Sequence, residues 1–442
     1  MLNPPRPLPP RSPLGRLPFY YGWVVVAVAF VTMGIGVNIR TAFSLLFPPI
    51  LDEFGWTRSE TAATFSIGFL ASTLITPLLG GAMDRLGPRW VVPFGAAIVS
   101  VGLVLATFTT QPWHLFITLG LLVVGGTVIF SYIGHSMFLP LWFVRRRGLA
   151  VGIAFSGVGV GSILLFPWFQ HIIDTAGWRQ SCWVMAALMM LVVFPLNLLL
   201  QRHRPEDLGL RPDGDDPAGN PAEGDGGMGR ASEKPSREVN WTLRQALGSP
   251  AFWWIAVGYF CGLVIWYMVQ VHQTKYLLDL GIGTEVAAYA LGLVGLTGSI
   301  GLIGLGYISD RLGRELAWTV ASLGFAGCYA VLLVMGLYPS PWLMYLMVVL
   351  QGLLGYGLAS AFAVIPSEIF QGRSVAKIFG VLSIAASLGA AFGPWLGGAL
   401  RDQTGSYAPA FWIAIVLSQV SLACIWMAAP RKGPARGPFS ER

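Results

Sequence analysis

The sequence predicts an all-α integral membrane protein of twelve transmembrane helices, arranged as two pseudo-symmetric six-helix bundles. Three observations carry that expectation. The chain of 442 residues is 55% hydrophobic and only 11% Asp, Glu, Lys or Arg, about half the charge of a soluble domain. Apolar runs long enough to cross ~30 Å of hydrocarbon as a helix recur from Tyr20 almost to the C-terminus. Landmarks in the first half of the chain also return in the second at one fixed offset.

The spans are expected at 20–47, 59–82, 90–110, 113–141, 149–172 and 179–200, then at 250–279, 286–308, 316–336, 341–369, 376–399 and 408–428. This divides the chain into a tail (1–19), a first bundle (20–200), a linker (201–249), a second bundle (250–428) and a closing tail (429–442). Residues 1–18 are rich in Pro and Arg and lack the pattern of a cleavable signal peptide. The linker carries Gly, Pro, Asp, Glu, Arg and Ser with few aromatic residues, so it buries too little apolar surface to offset its ordering entropy and is expected to be largely disordered. An amphipathic piece near Trp241–Leu247 is expected at the membrane surface.

The repeat is explicit. Gly80-x-Ala82-x-Asp84-Arg85-x-Gly87 after span 2 matches Gly306-x-Ile308-x-Asp310-Arg311-x-Gly313 after span 8, an offset of 226 residues. The same offset relates Glu53-Phe54-Gly55 to Asp279-Leu280-Gly281, Gly126 to Gly352 and Arg147 to Arg373.

The net charge of +7 is a topology signal. With the spans above, 23 of the 28 basic residues fall on one side of the membrane; only Arg58, Arg179, Lys275 and Arg401 fall on the other, and Arg40 lies within a span. The positive-inside rule places both termini in the cytoplasm and makes a nucleic-acid partner unnecessary. The cysteines, Cys182, Cys261, Cys328 and Cys424, lie in or beside apolar spans without metal spacing and read as small packing residues. No nucleotide loop, nucleophile–base spacing or metal cluster supports an enzyme or a bound cofactor.

The loop motif Gly80, Asp84, Arg85, Gly87 and its copy Gly306, Asp310, Arg311, Gly313 resemble the loop signature of the major facilitator superfamily. The glycines permit a tight turn, and the Asp residues sit where they can pair with an Arg or a helix N-terminus of the other half. The resemblance implies a gating role, with halves that rock about a site near mid-membrane. Trp142-Phe143-Val144-Arg145-Arg146-Arg147-Gly148-Leu149-Ala150-Val151-Gly152-Ile153-Ala154, before and within span 5, closely resembles a signature of the monocarboxylate transporter family, and the chain resembles a bacterial-type member. Gly152, Ser156, Gly157 and Gly161 are small enough for a neighbouring helix to approach. Tyr20-Tyr21-Gly22-Trp23 is similar to that family's other signature without its acidic residue. Gly389, Gly393, Pro394, Gly397 and Gly398 in span 11 resemble an antiporter motif but lie in the wrong half, and read as close packing and a kink.

The resemblance implies a secondary transporter in the cell (inner) membrane: a monomer that moves a small organic anion, monocarboxylate-like, by alternating access. Coupling by proton symport is an extension of that reading, with the proton on the substrate or on a histidine. Efflux of neutral or hydrophobic compounds is the alternative, and a non-transporting membrane sensor is a second class. The family's Asp–Arg pair in span 8 is absent, because that span offers only Thr297 and Ser299 near its middle.

Ionisable residues at membrane depth are functional candidates by default. Arg40, about 9 Å beyond the middle of span 1, is the anion anchor expected here, since a guanidinium holds a carboxylate through two parallel hydrogen bonds. The competing expectation is that it snorkels to the headgroups or pairs with Asp52 or Glu53. No Asp or Glu falls within a span interior, which argues against organic cations. Asn38, Tyr132, Trp266, Tyr267, Gln270 and Tyr356 are the further substrate candidates, and His135 and His272 the titratable ones.

Overall fold

The computed structural model describes residues 18–143, 146–214, 241–362, 364–370 and 375–428. Among them are 12 helices long and apolar enough to cross a membrane: α1 Gly22–Phe54, α2 Arg58–Leu86, α3 Pro88–Ala106, α4 Pro112–Ser136, α5 Leu149–Ala176, α6 Trp178–Leu200, α7 Pro250–Asp279, α8 Thr284–Ser309, α9 Arg314–Met335, α10 Pro341–Pro366, α11 Lys377–Thr404 and α12 Ala408–Ala428.

Local chemistry sets several starts. Pro88, Pro112, Pro250 and Pro341 stand in the first turn of α3, α4, α7 and α10, where a missing N–H costs nothing. The Thr57 hydroxyl caps α2 by accepting the Glu60 N–H while the Glu60 carboxylate accepts the Thr57 N–H.

Buried apolar side chains form two large clusters, one mainly from Tyr21 to Leu208 and one from Trp241 to Ala428. The repeat is written into the backbone as well. Among the described residues, six of the seven left-handed glycines come in pairs, Gly55 (φ 65°) with Gly281 (81°), Gly87 (73°) with Gly313 (106°) and Gly177 (89°) with Gly405 (70°), and the seventh, Gly209, lies in the linker. Side chains at these positions would be strained. Helix crossings repeat too. A Cβ on Gly157 would collide with the Phe30 carbonyl, and one on Gly389 with that of Phe260. Gly161 likewise abuts Gly34, and Gly393 abuts Val264. Thus α5 crosses α1 as α11 crosses α7, backbone against backbone.

The two halves meet on the face away from the chain ends. There the Gly398 backbone lies against Arg58 and Ser59, Thr284 Oγ1 donates to Asp174 Oδ2 at 2.7 Å, and Ser44 Oγ is 2.8 Å from Thr274 Oγ1. Contact continues inward through Ser162 Oγ, which donates to the Gly292 carbonyl at 2.9 Å, to Gly159 against Ser299. Beyond that the helices part. An added Cβ on Gly80, Gly81, Gly152, Gly304 or Gly380 would meet nothing within 4 Å. These glycines belong to α2, α5, α8 and α11, the helices that join the halves on the far side. Among the described residues, then, these contacts between the halves lie toward the far face, and these glycines toward the terminal face meet no neighbour.

The ends of the linker are packed. Leu208 and Trp241 are buried, Trp241 edge-on to Phe370 at 5.3 Å, and Thr242 caps the short helix Leu243–Leu247. The segment 241–247 therefore docks on the second bundle through Trp241. Most of the linker, 215–240, and the tails 1–17 and 429–442 lie outside the described residues.

Candidate functional site

The first helix is longer than its hydropathy suggests: it continues through Pro48 and Pro49 to Phe54. Arg40 is consequently two residues, about 3 Å, past the centre of α1, which corrects the more peripheral position expected. It is half-buried and makes no hydrogen bond or ion pair with any described residue. Its guanidinium lies 5.7 Å from the Phe69 ring centre. The two carboxylates that might have claimed it are engaged elsewhere. Asp52 pairs with Lys275 at 3.1 Å, and Glu53 accepts from Arg179 and from the Trp178 indole, both at 2.7 Å.

Aromatic rings from both halves gather around this cation. Tyr267 is 4.3 Å from Phe69 and 6.0 Å from Phe65, Trp266 is 4.3 Å from Tyr356, and Tyr132 is 4.8 Å from Phe155. Tyr132 and Tyr356 each lie within electrostatic range of Arg40 and of Tyr267. Two of the three tyrosine-bearing helices of the set, α4 and α10, are irregular at this depth. In α4 a wide π-helix (Phe116–Gly125) tightens to a 3-10 helix (Gly126–Phe130) and breaks at extended Ser131, immediately before Tyr132. In α10 a π-helix (Val349–Leu354) is followed by a 3-10 turn, Gly355–Gly357, that contains Tyr356. Irregular backbone at membrane depth is tolerated where it is buried in protein or lines a water-filled cavity.

The other expected residues separate from this group. The Asn38 amide donates to the Gly34 carbonyl at 2.6 Å and to the Val158 carbonyl at 2.9 Å, so it ties α1 to α5. Gln270 donates to Thr41 Oγ1 at 3.3 Å across the halves and leaves its Oε1 without a partner. His135 is fully buried against Phe138 (5.3 Å), unlike half-buried Tyr132 one turn before it. Its Nδ1–H donates to the Ser131 carbonyl at 3.3 Å, which leaves Nε2 as an acceptor with no partner.

His272 does not face far-side water. It is buried, its Nε2–H donates to the Pro394 carbonyl at 2.7 Å, and its Nδ1 accepts from the Tyr407 hydroxyl at 3.1 Å. Tyr407 in turn accepts from Arg58 Nη1 at 2.8 Å. Arg58 Nη2 holds Asp279 at 2.7 Å, and Asp402 accepts the backbone N–H groups of Arg58 (3.0 Å) and Ser59 (2.8 Å). Sequence reasoning missed this far-face clamp. Its signal was the charge bias itself: Arg58 and Lys275 are among the few cations on the poorly basic side, and each is bonded to carboxylates.

Of the loop motifs, Asp84 and Arg85 are exposed and make no side-chain hydrogen bond or ion pair with a described residue, although Asp84 lies within electrostatic range of His203. Gly87 packs on His203. Arg311 lies 4.4 Å from the Tyr307 ring, Gly306 is uncrowded, Gly313 is left-handed, and the Asp310 side chain lies outside the described residues. In the span 5 signature, Phe143 packs on Tyr20 (5.5 Å) and Trp23 (5.0 Å), while the Tyr20 hydroxyl donates to the Trp142 carbonyl at 2.6 Å. The two signature-like segments therefore touch. Ala150 is buried, Leu149 and Arg146 are exposed, and Arg145 and the Arg147 side chain lie outside the described residues. Gly157 and Gly161 make the close crossing expected of them; Gly152 has open space, and Ser156 bonds back to Ile153 of its own helix.

Comparison with known proteins agrees with this architecture. The family model described as Major Facilitator Superfamily matches residues 22–366 and 331–442. Human monocarboxylate transporter 11 is 29% identical over 435 residues, covering 95% of this chain and 85% of that protein. Rat monocarboxylate transporter 13 is 28% identical, covering 89% and 86%. A bacterial homolog of the human lysosomal transporter Spinster, solved in an inward-facing and occupied conformation, superposes with a TM-score of 0.69 at 16% identity over 93% of this chain and 97% of that one. The nucleoside transporter NupG gives 0.67 at 13% identity over 92% and 100%. These relatives are membrane transporters rather than enzymes, and the chain, similar in sequence to monocarboxylate transporters, belongs to the major facilitator superfamily.

Proposed function

We propose that this protein is a secondary active transporter that carries a small organic anion, monocarboxylate-like, by alternating access, with Arg40 as the anion anchor. The observation that carries this reading is a guanidinium near the centre of α1 with no carboxylate partner among the described residues. An ionised group at that depth is costly, and an incoming carboxylate would supply the missing charge through paired N–H···O bonds. The names of the two transporter relatives point the same way.

The uncrowded glycines toward the terminal face, together with the bias of basic residues toward it, support an inward-open state in the cell (inner) membrane with both termini cytoplasmic. The substrate enters or leaves between the parted ends of α2, α5, α8 and α11. Rocking then breaks the Arg58 clamp and brings the loop motifs, with Asp84, Arg85 and their copies, into contact across the halves. A proton would travel on the substrate or on His135, whose Nε2 is free to accept one. The protein works as a monomer, because one chain holds both halves of the site.

Export of neutral hydrophobic compounds is the second reading, favoured by the aromatic walls around Arg40. Transport of labelled carboxylates by Arg40→Ala and Arg40→Lys in proteoliposomes separates the two. Unchanged rates in both variants would remove Arg40 from the account.

A further inference from the structure

The shape of the space around Arg40 says more about the substrate than its charge does. This inference rests on the anchor reading above and narrows it to a chemical class.

A three-carbon hydroxy acid needs a cation and a few hydrogen-bond partners, and little else. The surroundings of Arg40 are different. Half-buried rings gather at the same depth: Tyr132 and Phe155 from the first half, Trp266, Tyr267 and Tyr356 from the second, while aliphatic side chains such as Leu119 and Val123 line the other flank of Arg40. Phe69 bridges them, 5.7 Å from the guanidinium and 4.3 Å from Tyr267. The rings are partly open, so they are walls rather than core.

Two hydroxyls complete the picture. The phenol hydroxyls of Tyr132 and Tyr267 make no hydrogen bond with any described residue. A phenol at membrane depth ordinarily has a partner when buried. Two such donors near an unpaired guanidinium suit a carboxylate, and the ring faces beside them suit a flat apolar body. Aromatic pairs gain beyond simple area burial, about 2- to 10-fold in affinity per good ring contact.

We infer that the substrate is an aryl carboxylate: a carboxylate held by Arg40, with its aromatic ring lodged among the rings of both halves. Because the rings come from both halves, such a ligand would also bridge the two bundles on the open side of the clamp.

The test measures binding of benzoate, phenylacetate, cyclohexanecarboxylate and lactate to the full-length protein in nanodiscs by titration calorimetry. Cyclohexanecarboxylate matches benzoate in size and charge and lacks the π-face. The inference expects the aryl acids to bind at least about threefold more tightly than cyclohexanecarboxylate, and lactate to be weakest. Tyr267→Leu should erase the aryl preference while binding stays dependent on Arg40. Equal or tighter binding of cyclohexanecarboxylate or lactate, still lost in Arg40→Ala, would overturn the aryl assignment and leave the anchor standing. No binding by any acid, or benzoate binding unchanged in Arg40→Ala, would overturn both. Thermal unfolding of each variant confirms that a lost signal reflects the site rather than the fold.

Discussion

Asp402 at the end of α11 caps the start of α2 in the other half, accepting the backbone N–H of Arg58 at 3.0 Å and that of Ser59 at 2.8 Å. A helix N-terminus carries partial positive charge and unsatisfied N–H groups, so one carboxylate satisfies two donors and opposes the dipole. The Arg58 side chain then reaches Asp279 and Tyr407 of the same partner half. Helix-end electrostatics thus add to the apolar contact between the halves, in which Val271, Ala288, Leu291, Ala390 and Ala391 are buried with the first bundle's cluster.

Asp402→Ala removes two charge-assisted bonds between the halves. Such bonds contribute about 1.5–3 kcal/mol when shielded and less where water reaches them. A shift of about 1 kcal/mol toward the state open at the far face, roughly fivefold in population, is expected. Electron–electron resonance distances between spin labels at Glu60 and Thr404 report it. An unchanged distance distribution would show that the clamp does not govern closure.

Glycine packing gives a stability prediction with an internal control. Gly157→Ala forces a methyl group into the Phe30 carbonyl, whereas Gly152→Ala on the same helix enters open space. Overpacking costs about 1–3 kcal/mol, so Gly157→Ala should lower the unfolding temperature by several degrees and Gly152→Ala should leave it nearly unchanged. Equal effects would mean that α5 and α1 do not cross at Gly157.

The start of the linker is pH-sensitive. Burial and the neighbouring Arg204 hold the His203 imidazole below its ordinary value, with Asp207 and Asp84 opposing them in part. A histidine whose folded-state pKa is depressed favours the folded arrangement while neutral. The contribution is therefore present above the unfolded value near 6.5 and is lost as pH falls below it. Amide exchange in residues 201–209, corrected for intrinsic rate, should rise between pH 7 and pH 5, and His203→Gln should flatten that rise. A flat profile in the unaltered protein would contradict the packing of His203 on Gly87.

Much of the architecture was legible because bilayers impose simple rules. Twelve apolar runs, one offset and one charge bias sufficed for span number and repeat. Less legible were features that depend on two distant segments meeting. Asn38 looks like a substrate group by depth alone, yet its amide is consumed by Val158, 120 residues away. His272 looks water-facing by position, yet Pro394 and Tyr407 enclose it. The helix α1 extends past the 20–47 expected, because it runs on through Pro48 and Pro49. The rings beside Arg40 were individually visible in sequence, but only the fold shows that Phe69 and Tyr267, from opposite halves, lie 4.3 Å apart.

The central claim is that Arg40 holds the anion being moved. Uptake of radiolabelled benzoate and lactate into proteoliposomes, compared for the unaltered protein, Arg40→Lys and Arg40→Ala, tests it most directly. Losing a buried hydrogen bond to a charged group costs about 1.5–3 kcal/mol, so Arg40→Ala should reduce carboxylate transport by about tenfold or more. Arg40→Lys, which keeps the charge and loses the paired geometry, should fall between. Carboxylate transport that persists at the unaltered rate in both variants would contradict the account.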